Sequence, residues 1–397
     1  MDISQSWIDR GLEHVAKTYG RYPLVAASGQ GCWLTDVDGK KYLDFLAGVA
    51  VNNLGHCHPR VVAALQDQAG KLLHCSNYFH IPQQIELAEI LCEHSFGDRV
   101  FFCNSGAEAN EAALKLARKY SADTYGNDRF EIITAQASFH GRTLATISAT
   151  GQDKIQAGFA PLIPGFKYVP LGDIQALKQA VNPKTCAIML EPIQGEGGIN
   201  IPPQGYLQAV RELCDQNELI LIFDEIQVGL GRTGKLFAYQ HDNVEPDVMT
   251  LAKALAAGPP IGAMVAREKY ASALGPGTHG STFGGNPLIT AAGIATMKVL
   301  LEGDVIENCI AMGHYLFTKL QQLQEKYTFI KNIRGRGLIV GMELTIEGGE
   351  IVKTALDRGL LINCTVGNVL RFVPPLIVSQ SEIDQMIEIL DGILEEL

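Results

Sequence analysis

Nowhere do lysine and arginine gather into a basic run, and the formal net charge of the 397-residue chain is −11. That absence removes the electrostatic footprint of a nucleic-acid binder, so no nucleic-acid partner is expected. No apolar stretch approaches the ~20 residues that cross a bilayer, so no membrane partner is expected either. The opening residues, MDISQSWIDRGLEHVAK, contain no apolar block of the secretory kind, and the expected location is cytoplasmic. Cys-x-x-Cys is missing too. The nine cysteines are odd in number and scattered, which excludes a disulfide framework and reads as reduced core filler. His56, Cys57 and His58 crowd together in GHCHP, but with no second cluster at ligand spacing they read as a loop, and no metal is expected.

Apolar residues are what the chain has in quantity, at 47%. That supports a large core, as two or three domains or as one core with a smaller appendage. Short apolar runs alternate with helical patterns. RVFFC (99–103), EIITA (131–135), CAIML (186–190), LILIF (219–223), DVMTL (247–251) and GAMVA (262–266) read as strands. GAEANEAALKLARKY (106–120) reads as a helix with Ala109, Ala113, Leu116 and Ala117 on one face, and GYLQAVRELCDQN (205–217) as another. Near-continuous apolar strands alternating with helices predict an α/β fold, a mostly parallel central sheet covered by helices on both sides. Such sheets bind ligands at the carboxyl ends of their strands. Five consecutive strand ends run into NSGAE, QASFHGRT, EPIQGEGG, DEIQ and AKAL. One site at that edge explains all five.

Two nucleotide patterns compete for the loop after LILIF. Gly229, Gly231 and Gly234 match G-x-G-x-x-G, but four residues separate the strand from the first glycine and no clear helix start follows. The same loop reads G-x-x-x-x-G-K, yet Leu236 stands where a P-loop needs a hydroxyl for its metal. A nucleotide-binding oxidoreductase therefore stays as a remote alternative.

Asn104 and Ser105 suit a helix cap, with Gly106 and Ala107 in a first turn whose free amides and dipole favour an anion. An ordinary capped helix looks the same. Lys253 is the only charge in the stretch Met249–Ala257. A desolvated lysine is a nucleophilic amine suited to an aldehyde, although a lysine snorkelling from the sheet edge fits the pattern too. Asp224 closes a strand that reads as buried on both faces. An anion site, an amine and a buried acid together specify pyridoxal 5′-phosphate (PLP): phosphate, aldehyde, and a ring nitrogen that an aspartate keeps protonated. Asp224 is then no longer an uncompensated buried charge.

At this point the motifs resemble a family. NSGAEANEAALKLAR, SFHGRT, EPIQGEGG, FDEIQVGLGRTG, LAKAL and GSTFGGNPL resemble the class III (omega) aminotransferases of PLP-dependent transferase fold type I, and the likeness runs from WLTDVDGKKYLDF to RFVPPL. FLAGVAVNNLGHCHP, VFFCNSGAEANEAALKLAR and VRELCD resemble the branch that moves the terminal amine of N-acetylornithine to 2-oxoglutarate in arginine biosynthesis. Other omega-amine donors (ornithine, succinylornithine, N-succinyl-diaminopimelate, 4-aminobutyrate) are the alternatives.

The resemblance implies roles. Lys253 links to the cofactor and shuttles the proton. Asp224 pairs with the ring nitrogen and Gln227 with the ring hydroxyl. Phe139 and Ile226 cover the two ring faces. Ser105, Gly106 and Ala107 hold the phosphate, and Thr282, with Ser281 beside it on the substrate side, reaches the phosphate of the neighbouring subunit in a homodimer with shared active sites. Arg142 binds the carboxylate far from the reacting amine and Arg371 the α-carboxylate of glutamate or 2-oxoglutarate. Glu196 shields Arg371 in one half-reaction and frees it in the other. Glu225 is expected to be structural and Arg232 to hold its own loop. Residues 1–55 are expected on the dimer partner, 56–290 to form the large PLP domain, and 291–397 a smaller α+β domain supplying Arg371. Two departures from the family pattern stand out, the first at a channel wall and the second at substrate choice. AAGPP follows the lysine where relatives carry more glycine and an aromatic, and Tyr19, Arg21 and Tyr22 offer an entrance tyrosine that the sequence does not align.

Overall fold

The computed structural model describes residues 3–397. Three short strands, β1 (Ala26–Gln30), β2 (Trp33–Asp36) and β3 (Lys41–Asp44), form an antiparallel meander. The central sheet then comprises β4 (Arg99–Cys103), β5 (Glu131–Ala135), β6 (Phe166–Val169), β7 (Thr185–Leu190), β8 (Ile220–Asp224), β9 (Val248–Leu251) and β10 (Gly262–Ala266). A third group, β11 (Ile330–Arg336), β12 (Ile339–Leu344), β13 (Leu360–Leu361), β14 (Asn363–Thr365) and β15 (Val369–Phe372), lies toward the C-terminus.

The central sheet has the order β4-β10-β9-β8-β7-β5-β6. Pairing is parallel from β9 through β6, while β10 runs antiparallel to both neighbours. Every residue of β7, β8, β9 and β10 is buried, which is why these segments read as unbroken apolar runs. β6 was not anticipated. It is a short edge strand, mostly half-buried, and Lys167 interrupts its apolar pattern. Helix Gly106–Tyr125 runs five residues past the expected end, until Gly126 at φ +93° turns the chain. Its alanine face (Ala109, Ala112, Ala113, Ala117) is fully buried, and small side chains let the helix lie close to the sheet.

The C-terminal sheet has the order β11-β12-β15-β14, with Arg371 inside β15. Pro374 and Pro375 follow and cannot continue a ladder, so the strand ends at Phe372. β13 leaves this region and pairs in parallel with β3, joining the N-terminal meander to the C-terminal part.

Arg232 ties the parts together. It is fully buried and donates to the carbonyls of Leu338 (2.8 Å) and Pro374 (2.5 Å) and to Asn53 Oδ1 (2.6 Å). Burial pushes its pKa down to about 10. The residue thus holds three distant segments, a wider role than its own loop. Arg232→Met is expected to cost about 3 kcal/mol in urea unfolding, because three buried acceptors lose their donor. A loss under ~1 kcal/mol would remove it from the framework.

Candidate active site

The carboxyl edge of the central sheet opens into a cavity of about 390 Å³. The ends of β4, β5, β7, β8 and β9 contribute to its wall. After β4, Ser105 caps helix Gly106–Tyr125 by accepting from Glu108 N–H at 3.2 Å. Gly106 and Ala107 line the cavity, at the positive end of a 20-residue helix. A Cβ on Gly106 would sit 2.8 Å from Ile226 Cδ1, so only glycine lets the helix approach that side chain.

Asp224 ends β8 and is 4% exposed. Its Oδ2 accepts from Asn110 Nδ2 (2.8 Å) and lies 2.8 Å from His140 Nδ1, while Oδ1 accepts from Ile226 N–H (3.1 Å). Asn110 is itself fixed: its amide also donates to His140 O (2.7 Å), and Thr250 Oγ1 donates to its oxygen (2.7 Å). Sequence reasoning missed both supports. Their signals were present, since Asn110 interrupts an apolar helix face and His140 stands inside SFHGRT.

Lys253 follows β9 in a tight turn, with φ +42° at the residue itself and +49° at Ala257. Such backbone is strained for side chains with a Cβ and marks a site whose surroundings hold it in place. Burial, reinforced by Arg371, pulls the amine down to about 8, and Glu196, Asp224 and Glu191 only partly oppose this. The amine lines the cavity.

Arg371 enters from β15 and is 1% exposed, so it is no loop arginine. Nη1 donates to Glu196 Oε1 (2.6 Å) and to Gln227 Oε1 (3.2 Å), and Nε to Asn363 Oδ1 (3.1 Å) on β14. Gln227 Nε2 in turn donates to Glu196 Oε1 at 3.1 Å. Burial works against the Glu196 carboxylate, but Arg371 and Lys253 outweigh it and hold the group below the ordinary carboxylate range. A Cβ on Gly195 would meet Gln227 Oε1 at 1.7 Å, so glycine there leaves Gln227 the room to sit in this triangle. Phe139 and Arg142 form the opposite wall, with the guanidinium 5.5 Å from the ring centroid.

Ser281 and Thr282 do not line this cavity. They border a separate opening with Ser76, Asn77 and Tyr78, where Thr282 is exposed. Ser281 reaches the main site only through Asn104, whose amide donates to its Oγ at 3.2 Å. Tyr19 is 74% exposed, and Arg21 and Tyr22 border a small apolar cavity with Leu356 and Ile362. The structure therefore brings none of these three to the lysine. Glu225 turns away from Asp224 and accepts from the amides of Ala238 and Tyr239, both at 2.7 Å, as a structural partner does. The Gly229–Gly234 loop opens no helix. Gly231 and Gly234 pack against Leu376 and Ile310, which leaves no cradle for a pyrophosphate. Among the described residues, no cluster of side chains could hold a metal ion and no helix is long and apolar enough to cross a membrane.

PLP fits the residues present. A helix amino end, an acid held by three donors and a buried low-pKa amine face one cavity, and they match a phosphate, a pyridinium and an aldehyde. The comparisons agree. The family model "Aminotransferase class-III" matches residues 14–394. An acetylornithine aminotransferase of Methanocaldococcus jannaschii is 54% identical over 393 residues, covering 99% of each chain. The solved ornithine aminotransferase of Toxoplasma gondii, described with partial occupancy of PLP at its active site, is 37% identical with a TM-score of 0.95, covering 99% of this chain and 95% of its own. The acetylornithine aminotransferase of Elizabethkingia anophelis is 33% identical with a TM-score of 0.89, covering 99% of both chains. The chain belongs to the class III aminotransferases, a PLP-dependent family of transaminases.

Proposed function

We propose that the enzyme moves the δ-amino group of N-acetyl-L-ornithine to 2-oxoglutarate, giving N-acetyl-L-glutamate 5-semialdehyde and L-glutamate. Full-length likeness to acetylornithine aminotransferases supports the donor. The single observation that carries the mechanism is the Glu196–Arg371 pair, 2.6 Å long and facing Lys253.

When bound, PLP supplies an electron sink for the substrate carbon that loses its proton. The chain's own residues do the rest. Ser105, Gly106 and Ala107 hold the phosphate at the helix amino end, and Thr282 of a second subunit completes that hold. Asp224, fixed by Asn110 and His140, keeps the ring nitrogen protonated. Phe139 and Ile226 confine the ring and exclude water, and Gln227 faces the ring hydroxyl. Lys253 secures the cofactor, then carries the proton between substrate atoms. Arg142, with Ser281 of a second subunit, takes the carboxylate remote from the reacting amine, and Arg371 takes the α-carboxylate of glutamate or 2-oxoglutarate as a bidentate pair.

N-Acetylornithine has no carboxylate on its reacting carbon, whereas glutamate has one. With Glu196 on Arg371 the first substrate meets a neutral pair, and with Glu196 withdrawn the second meets a cation. Glu196→Ala is therefore expected to lower the kcat/KM ratio of N-acetylornithine to glutamate about tenfold or more, the worth of one charge-assisted pair. The half-reactions can be followed separately at the visible band of the enzyme. An unchanged ratio would remove the switch. Titrating that band with N-acetylornithine and with free ornithine tests the donor itself. Equal or better response to ornithine moves the function to another omega-amine.

The reading includes a homodimer with shared active sites. Tyr78 and Phe283 are exposed beside Thr282, and Leu72, Leu73 and Phe79 are exposed in the segment that carries Tyr78, apolar side chains that a second copy would cover. In this reading the subunit divides into residues 1–55, 56–290 and 291–397, with the first part joined to the last through β3 and β13, and its location is cytoplasmic.

A further inference from the structure

A second buried carboxyl faces the cavity beside Asp224. Glu191 follows β7, one step past the Leu190–Phe223 pair of the parallel β7–β8 ladder, so it stands level with Asp224 on the neighbouring strand. Both side chains line the cavity, and Glu191 is 6% exposed. Two carboxylates at adjacent register positions in a low-dielectric site cannot both be ionised without a cation between them. Their partners are unequal. Asp224 has the Asn110 amide, His140 and Ile226 N–H. Glu191 has main-chain partners only: Phe139 N–H donates to its Oε2 at 3.2 Å, and Gly195 lies beside it.

The other charged groups around Glu191 do not change the order. Glu196, on the loop that follows, adds another negative charge and is itself paired with Arg371. Lys253, on the turn after β9, acts on Glu196, Asp224 and Glu191 together, while Arg142 lines the same cavity and Arg371 is engaged by Glu196 and Gln227. Burial, and then Asp224, push the Glu191 carboxyl well above its ordinary range.

We propose that Glu191 is a positioning residue: it carries the one proton of this carboxyl pair, leaving Asp224 the sole anion beneath the ring site, and its Oε2 fixes the main chain of Phe139. The ring-binding wall and the ring-nitrogen acid are then coupled through one side chain. A neutral Glu191 keeps Asp224 committed to the cofactor, whereas an ionised one would compete with it for Lys253. The proposal rests on the PLP reading.

The first test is an infrared difference spectrum at neutral pH between the purified wild type and Glu191→Gln, both carrying PLP. The expected difference contains the carbonyl stretch of a protonated carboxylic acid, present in wild type and lost in the variant. A difference made only of carboxylate stretches overturns the proposal. Glu225, the other buried acid with a raised pKa, is common to both proteins and cancels. The second test is PLP affinity. Glu191→Gln keeps a neutral acceptor for Phe139 N–H and is expected to bind PLP within about twofold of wild type, while Glu191→Ala loses about tenfold, the scale of one buried hydrogen bond. If Gln binds as poorly as Ala, a charge is needed and the proposal fails. If Ala binds like wild type, Glu191 positions nothing. Failure of the PLP reading shows separately, as a wild type with no visible band.

Discussion

Lys253→Ala is expected to lower kcat by about 10³-fold or more, the scale of losing a positioned proton carrier. The side chain reaches an existing cavity from a turn held by its own backbone, so the variant should fold with unchanged urea stability. The room vacated by the side chain should also admit a small primary amine, and added methylamine should restore part of the rate. Activity within tenfold of wild type would take proton transfer away from this residue. The same amine sets a pH profile. The nucleophile is the free base, and with a pKa of about 8 its fraction grows roughly fivefold from pH 7 to pH 8 and less than twofold from 8 to 9. The rate at which protein stripped of cofactor takes up PLP, read at the visible band, should follow that curve. An undisturbed lysine would instead give a tenfold rise per pH unit through this range.

The second large effect is expected at Asp224. Asp224→Asn keeps the size of the side chain but removes the charge, and kcat should fall about 10³-fold while KM for the amino donor moves little. Retained activity within tenfold would mean that the ring nitrogen needs no anion here. Asp224→Ala should lose as much and also leave Asn110 and His140 without their acceptor, so its stability should drop where that of Asn does not. Asn110→Ala separates the two effects. The Asn110 side chain hydrogen-bonds to Asp224, Thr250 and the carbonyl of His140, and its loss should cost about tenfold through misplacement of the acid.

Which of these groups the sequence reveals follows from how each one is held. Lys253, Asp224 and Glu196 stand at strand ends or in glycine loops, where a polar residue interrupts an apolar run, and that contrast is visible in one dimension. Asn110 and His140 are less conspicuous, because their partners are 114 and 84 residues away and no local pattern encodes the meeting. Arg371 beside two prolines resembles a surface loop until β12 and β14 are seen on either side of it. The antiparallel run of β10 could not be read from GAMVA, since strand direction is set by the connection and not by the apolar pattern. Ser281 and Thr282 border a separate opening, and no local pattern in GSTFGG tells that opening from the main cavity.

The pairing of β3 with β13 has a consequence for how the chain is made. Lys41–Asp44 emerges from the ribosome more than 300 residues before Leu360–Leu361, its partner along one edge. Asn53 likewise waits for Arg232, and the main chain of Leu376 donates back to Asn53 O at 2.7 Å. Through most of synthesis the early meander therefore lacks its seal, and Leu43, Phe45 and Leu54, fully buried at the end, have no finished core to enter. Val51, next to these residues, is part of the cavity wall. The catalytic chamber thus closes only after nearly the whole polypeptide has left the ribosome, and a product cut short before residue 360 would keep Lys253 and Asp224 yet present them on an open, aggregation-prone sheet.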